Sequence, residues 1–316
     1  MRLATIDNGS RDGLLVKVSR DGLHYAEATA IAATLQEAIE RWDGVADQLA
    51  ALPEGQLPLE AVRLLAPLPR AWQWLDGSAY RSHGELMDKM TGNKVERTGV
   101  PLMYQGMSDT FLSATQDVRF PSEELGIDFE GEFGVIVDAV PMGTTAENAL
   151  QHIKLLVQIN DWSLRKLAVP EMKTGFGFIA AKPACSMAPF AITPDELGPQ
   201  WRNGRVCLDL EVQWNGQRFG NPNGEPMEFG LHELVAHAAR TRSLVAGTVL
   251  GTGTVSNDNF REVGSSCISE RRGIEVVDSG APQTGFMKFG DRVKMQAHTA
   301  EGWAPFGAID QRVVAA

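Results

Sequence analysis

No apolar run in this chain reaches the roughly 20 residues that a membrane-spanning helix needs. Cysteine is scarce. Cys185, Cys207 and Cys267 lack C-x-x-C spacing and make a poor disulfide framework, so three reduced structural thiols are expected. Positive charge is short as well, with 29 Lys and Arg against 40 Asp and Glu and a formal net charge of -11. A nucleic-acid partner is therefore not expected, because phosphate backbones are bound by an excess of Lys and Arg. The opening Met1-Arg2-Leu3-Ala4-Thr5 has no apolar stretch of secretory type, which makes cytoplasm the expected location. There is no internal repeat and no low-complexity segment.

What the chain does have is an ordinary core composition, 43% hydrophobic and 22% charged, with 32 glycines and 16 prolines. Leu14 to Val18 reads as a strand and Asp21-Gly22 as a hairpin turn. Leu35, Ala38, Ile39, Trp42, Ala46 and Leu49 repeat at helical spacing behind a capping box of Thr34 and Glu37. Pro53, Pro58, Pro67 and Pro69 then punctuate the chain. They suggest a small N-terminal α+β domain over residues 1–68 and a larger β-rich domain over 69–316. In the latter, Phe133 to Val137 reads as a buried strand and Thr144 to Gln158 as an amphipathic helix capped by Thr144 and Glu147. Val206 to Trp214 alternates into an Asn215-Gly216 hairpin, Leu231 to Arg242 is helical, and Val245 to Val255 returns to strand and glycine.

Four stretches can carry chemistry. In Asp128-Phe129-Glu130-Gly131-Glu132, alternation puts Glu130 and Glu132 on one face. Adjacent carboxylates repel unless a cation or proton lies between them. The pair is either a solvated acidic edge or an oxygen-rich site for a hard divalent cation. Asp161, in Gln158-Ile159-Asn160-Asp161-Trp162-Ser163, is a third ligand or a turn residue. Leu250 to Ser256 offers glycines and hydroxyls for close backbone approach to an anion. No Gly-Lys-Ser/Thr follows it, and it is not a dinucleotide-binding G-x-G-x-x-G. Asp76 to His83 supplies a candidate general base. His24, His152, His232, His237 and His298 read as structural or exposed.

Taken in order over roughly residues 70 to 310, these segments resemble the fumarylacetoacetate hydrolase family. The resemblance implies that Glu130, Glu132 and Asp161 bind a metal, with Asp76 as a further ligand seven residues before a catalytic His83. Asn160-Asp161-Trp162-Ser163-Leu164-Arg165 is similar to a family segment that places Arg165 in the site. Lys182 matches the family's lysine, Glu270 its histidine-orienting glutamate, and Tyr104 its substrate-binding tyrosine. Thr252-Gly253-Thr254-Val255-Ser256 is similar to its Ser-Gly-Thr turn, with Gly253 and Thr254 at the substrate. Departures are Ala181 and Pro183 around Lys182, Lys166 after Arg165, and no clear match for an oxyanion glutamine.

The resemblance implies a mixed β-roll catalytic domain, a homodimer and a divalent metal; Mg²⁺, Ca²⁺ and Mn²⁺ all suit oxygen ligands, and Mg²⁺ is expected on cytoplasmic availability. It also implies hydrolysis of a carbon–carbon bond in a β-diketo acid such as fumarylacetoacetate or a close acyl-keto acid. That reaction belongs to tyrosine degradation or the breakdown of aromatic compounds. The alternative is a metal-dependent decarboxylase, hydratase or isomerase of a related oxo-dioic acid, and a non-catalytic binding protein is a third reading.

Overall fold

The computed structural model describes residues 1–91 and 98–316, with side chains to residue 89 and from residue 98 onward. It is strand-rich α+β and contains no closed barrel among the described residues. The larger sheet runs, strand beside strand, through Leu57–Pro58, His24–Glu27, Leu14–Val18, Arg2–Ile6, Ala191–Ile192, Ile153–Asn160, Gly131–Val137, Thr248–Gly251, Trp74–Gly77 and Met103–Gly106. Arg2 pairs with Ile192 and Leu3 with Ala191, so the N-terminal strands extend the same sheet that carries the catalytic candidates. A second sheet runs Gln217–Gly220, Asp209–Trp214, Arg292–His298, Ala308–Ala315 and Val118–Phe120.

The central strands are apolar on both faces because each face meets a different layer. Phe133, Val135 and Val137 belong to a core shared with Leu210, Val212, Val293, Met295 and Ile309 of the second sheet. Ile136, Leu155, Val157 and Ile159 look the other way, into a core with Leu35, Ile39, Val45 and Leu49 of the N-terminal helices. Each such side chain, once fully buried, contributes about 1.5–3 kcal/mol of transfer free energy.

Two expected elements differ. Thr144 to Gln158 is not one helix. Thr145 caps a single turn, Ala146–Ala149, and Ile153–Asn160 is then a central strand. Burial on both faces removes the alternation that marks a half-buried strand, and the continuous apolar run happens to match helical spacing. The helix from Leu35 breaks at Arg41 into Leu35–Glu40 and Trp42–Ala51. The break rotates the second piece, so Val45 is buried with Leu49 while Trp42 and Ala46 lie at the margin. Thr34 does accept from the Glu37 amide, but the Glu37 carboxylate reaches the amide of Ala33, one residue before the cap. The Asn215-Gly216 turn is as expected. Both residues have positive φ, 52° and 75°, which a two-residue hairpin of this hand requires. Leu231–Ala238 is helical and ends four residues early.

Candidate active site

The site grows from strand pairing. On neighbouring strands, Asp76 sits opposite Gly251 and Tyr104, Gly251 opposite Gly134, and Glu132 opposite Ile159. Alternation places Asp76 and Glu132 on one face at one end of the sheet, with Asp161 just past the end of Ile153–Asn160. Gly251 lies between them. A Cβ there would come within 2.3 Å of the Trp74 ring, 2.6 Å of Asp76 Oδ1 and 3.0 Å of Glu132 Oε2. The missing side chain is the room in which the carboxylates converge. One carboxylate oxygen from each of Asp76, Glu132 and Asp161 lies within 4.8 Å of the others, and all three residues are buried.

Electrostatics mark this trio. Both Glu132 oxygens are buried with no hydrogen-bond partner. Burial first, then Asp76 and Asp161, hold its carboxyl well above the usual range. Asp76 accepts from the Gly253 amide at 3.2 Å and is pushed up to about 8 by burial and by Asp161. An orphaned carboxylate beside two more is what a hard divalent cation resolves, and an all-oxygen donor set suits Mg²⁺, Mn²⁺ or Ca²⁺.

Glu130 stands next to the trio rather than in it. The regular strand begins at Gly131, and Glu130 Oε1 meets Arg165 Nη2 at 2.6 Å, Ser163 Oγ at 2.8 Å and Lys182 Nζ at 3.0 Å. Its Oε2 accepts from Thr254 Oγ1 at 2.8 Å. Burial acts to raise its carboxyl, but Arg165 and Lys182 outweigh that and hold it far below the usual range. Lys182 also donates to Asp161 Oδ2 at 2.5 Å. Burial would favour its neutral amine, and Asp161 and Glu130 reverse this, so it stays a cation. Tyr104 donates to the same Asp161 oxygen at 2.7 Å and stacks edge-on with Phe178 at 5.0 Å.

His83 lies in the first turn of the helix Arg81–Thr91, 17% exposed, and lines a cleft of about 240 Å³ with Tyr80, Met87 and Leu102. Its Nδ1 is buried without a hydrogen bond and faces Glu270 Oε1 at 3.9 Å. Burial lowers its pKa to about 4, so the imidazole is neutral near pH 7 and has a ring nitrogen free to accept a proton. Burial also raises Glu270 to about 8. Ser82 donates to Ser256 at 2.8 Å, and Ser256 donates to Glu270. Gly253, with φ of +74°, packs against the Gly77 carbonyl, where a Cβ would come within 2.4 Å.

Three contributors went unassigned in the sequence. Asp128, fully buried, accepts from Arg165 Nε at 2.8 Å and from the amides of Ile268 and Ser269, tying the cation to the helix that carries Glu270. It lies in the acidic stretch at the same alternation as Glu130, a signal that could have been used. Ser163 lies inside the Asn160-Asp161-Trp162-Ser163-Leu164-Arg165 segment. Cys185 donates to Asp161 Oδ1 at 3.0 Å and had no signal at all. All three cysteines are free and buried.

Residues 73–314 match the family model for the fumarylacetoacetate (FAA) hydrolase C-terminal region, and residues 1–70 match fumarylacetoacetase N-terminal domain 2. A 2,4-didehydro-3-deoxy-L-rhamnonate hydrolase of Sphingomonas sp. (strain SKA58) is 27% identical over 158 residues, covering 49% of this chain and 52% of the relative. The chain thus matches about half the length of its curated relatives. Among solved structures, maleylpyruvate hydrolase from Sphingobium sp. SYK-6 with manganese (II) ion and pyruvate superposes with a TM-score of 0.69 at 18% identity. That match covers 100% of this chain and 99% of the other. The 5-carboxymethyl-2-hydroxymuconate delta-isomerase of Mycobacterium smegmatis gives 0.65 at 20% identity, covering 100% and 99%. At these identities the likeness is one of fold.

Proposed function

Because the chain belongs to the fumarylacetoacetate hydrolase family, we propose that it is a divalent-metal hydrolase cleaving a carbon–carbon bond in a β-diketo acid. Fumarylacetoacetate or a close acyl-keto acid is the substrate put forward. The observation that carries this reading is a neutral His83, lining a cleft and facing Glu270 Oε1 at 3.9 Å, in a chain that also gathers the buried carboxylate trio.

Asp76, Glu132 and Asp161 would hold the ion, with Glu130 as the anionic anchor that keeps Arg165 and Lys182 beside them. Bound there, a divalent cation polarises a carbonyl as a Lewis acid. Mg²⁺ is put forward on cytoplasmic availability. His83 takes a proton from water as the water oxygen bonds to the carbonyl carbon, and Glu270 orients the ring. Arg165 and Lys182 stabilise the oxyanion that forms. The electron pair of the breaking carbon–carbon bond leaves with the enolate fragment, which is then protonated. A homodimer acting in aromatic-compound breakdown completes the proposal.

The test is turnover of metal-stripped protein with fumarylacetoacetate, before and after adding Mg²⁺ or Mn²⁺, with products identified. Fumarate and acetoacetate appearing only with metal is the expected result; no cleavage in either state counts against this substrate. Decarboxylation or isomerisation uses the same trio without an activated water. A His83→Ala enzyme with near-normal kcat would move the assignment there, since a lost general base costs on the order of 10²-fold.

A further inference from the structure

Arg165 and Lys182, the two cations beside Glu130, bracket one excursion of the chain. It goes out along the helix Arg165–Thr174 and returns through a loop over residues 175–181. The two ends are fastened together, since the Leu164 amide donates to the Ala181 carbonyl at 2.8 Å. The loop itself has little apolar anchoring. Phe176 is 97% exposed and Ile179 88%. Gly175 and Gly177 have φ of 75° and 97°, in a region where glycine gives the backbone wide freedom. Phe178 turns inward, edge-on to Tyr104, which donates to Asp161.

Glu171 supplies the anchor. Near the end of the helix, its Oε1 accepts from the Ala180 amide at 2.8 Å, and its Oε2 from the amides of Ile179 and Ala181, each at 3.1 Å. Successive amides thus converge on one carboxylate, and hydrogen bonds to an ionised acceptor are the stronger kind. The same amides, led by Ala180, hold its carboxyl below the usual range. The next residue in the chain is Lys182, which is buried and donates to Asp161 and Glu130. We propose that Glu171 is a positioning residue: its carboxylate clamps the return loop, and so seats Lys182 on Asp161 and Glu130 and Phe178 on Tyr104. It acts through backbone amides, at one remove from the reacting groups. The inference rests on the proposed function in taking Lys182 as a cation that stabilises the oxyanion. Opening the clamp therefore lowers kcat.

The test compares the parent with Glu171→Ala and Glu171→Gln. Gln keeps the shape and can set its oxygen on the Ile179 and Ala181 amides, but it turns an NH₂ towards the Ala180 amide, so it should hold the loop in part. The first readout needs no substrate: reductive methylation of lysines in the folded protein, located by peptide mass spectrometry. Lys182 should label about tenfold faster in the Ala variant, and by less in the Gln variant, because local opening exposes it. The exposed Lys288 should label at the parental rate throughout. The second readout is turnover of fumarylacetoacetate with Mg²⁺: kcat should fall about tenfold in the Ala variant with KM little changed, and the Gln variant should recover part of the loss. Unchanged Lys182 labelling in the Ala variant overturns the clamp, and faster labelling with parental kcat overturns the positioning role. If the Ala variant fails to fold, the Gln variant decides, and parental labelling there overturns the clamp. A parent that does not turn over fumarylacetoacetate counts against the proposed substrate, and the labelling comparison then decides the clamp on its own.

Discussion

Replacing Glu132 by Gln should change stability in opposite directions with and without metal. Glu132 is fully buried, and neither of its oxygens has a hydrogen-bond partner. A buried polar group left unsatisfied costs about 1–3 kcal/mol. Glu132→Gln keeps the shape, replaces a carboxyl whose pKa burial holds well above the usual range by a permanently neutral amide, and adds an NH₂ that can donate to Asp76. Metal-free, the variant should therefore be the more stable protein. At about 2 °C per kcal/mol for a chain of this length, the gain is roughly 2–6 °C in Tm. Metal reverses the order. An ion at 100 times its Kd stabilises the native state by about 2.7 kcal/mol, or roughly 5 °C. Glu132→Gln should lose most of that increment because one of three ligand carboxylates is gone. The assay is thermal unfolding of both proteins in EDTA and then across a Mn²⁺ titration. A variant that melts below the parent in EDTA, yet shifts equally with Mn²⁺, would refute the argument that the orphaned carboxylate is a cation ligand.

Two more outcomes are expected. His83 has a native pKa of about 4 against the ordinary 6.5, so its base form persists well below neutrality and the acid limb of kcat/KM should fall near pH 4 rather than 6.5. The unfolded chain takes up this proton first, so stability is fully present above pH 6.5 and declines as pH falls towards 4, by up to about 3 kcal/mol. His83→Ala should flatten that part of the stability–pH curve; an unchanged curve would refute the assignment. Gly251→Ala changes no ligand but puts a methyl against Trp74, Asp76 and Glu132. It should cost about 1–3 kcal/mol of stability and weaken Mn²⁺ binding together, and parental affinity would show that the carboxylates do not depend on this gap.

Much of this protein is written in short-range pattern. The hairpin at Asn215-Gly216 follows from residues that tolerate positive φ, and the strand at Gly131–Val137 from an apolar run that needs no outside information. The residue types of the site were legible too, because two carboxylates at alternate positions ahead of a buried strand need either solvent or a counter-charge. Other features depended on which layers and strands meet. Ile153–Asn160 is a strand because one face meets the second sheet and the other the N-terminal helices, and a local window cannot show two-sided burial. Glu130 and Glu132 look equivalent in the chain, yet Arg165 and Lys182 claim the first while Asp76 and Asp161 crowd the second. Cys185 reaches Asp161 from 24 positions away. Charge identity is local, but what neutralises each charge depends on strand order and register, which only long-range packing sets.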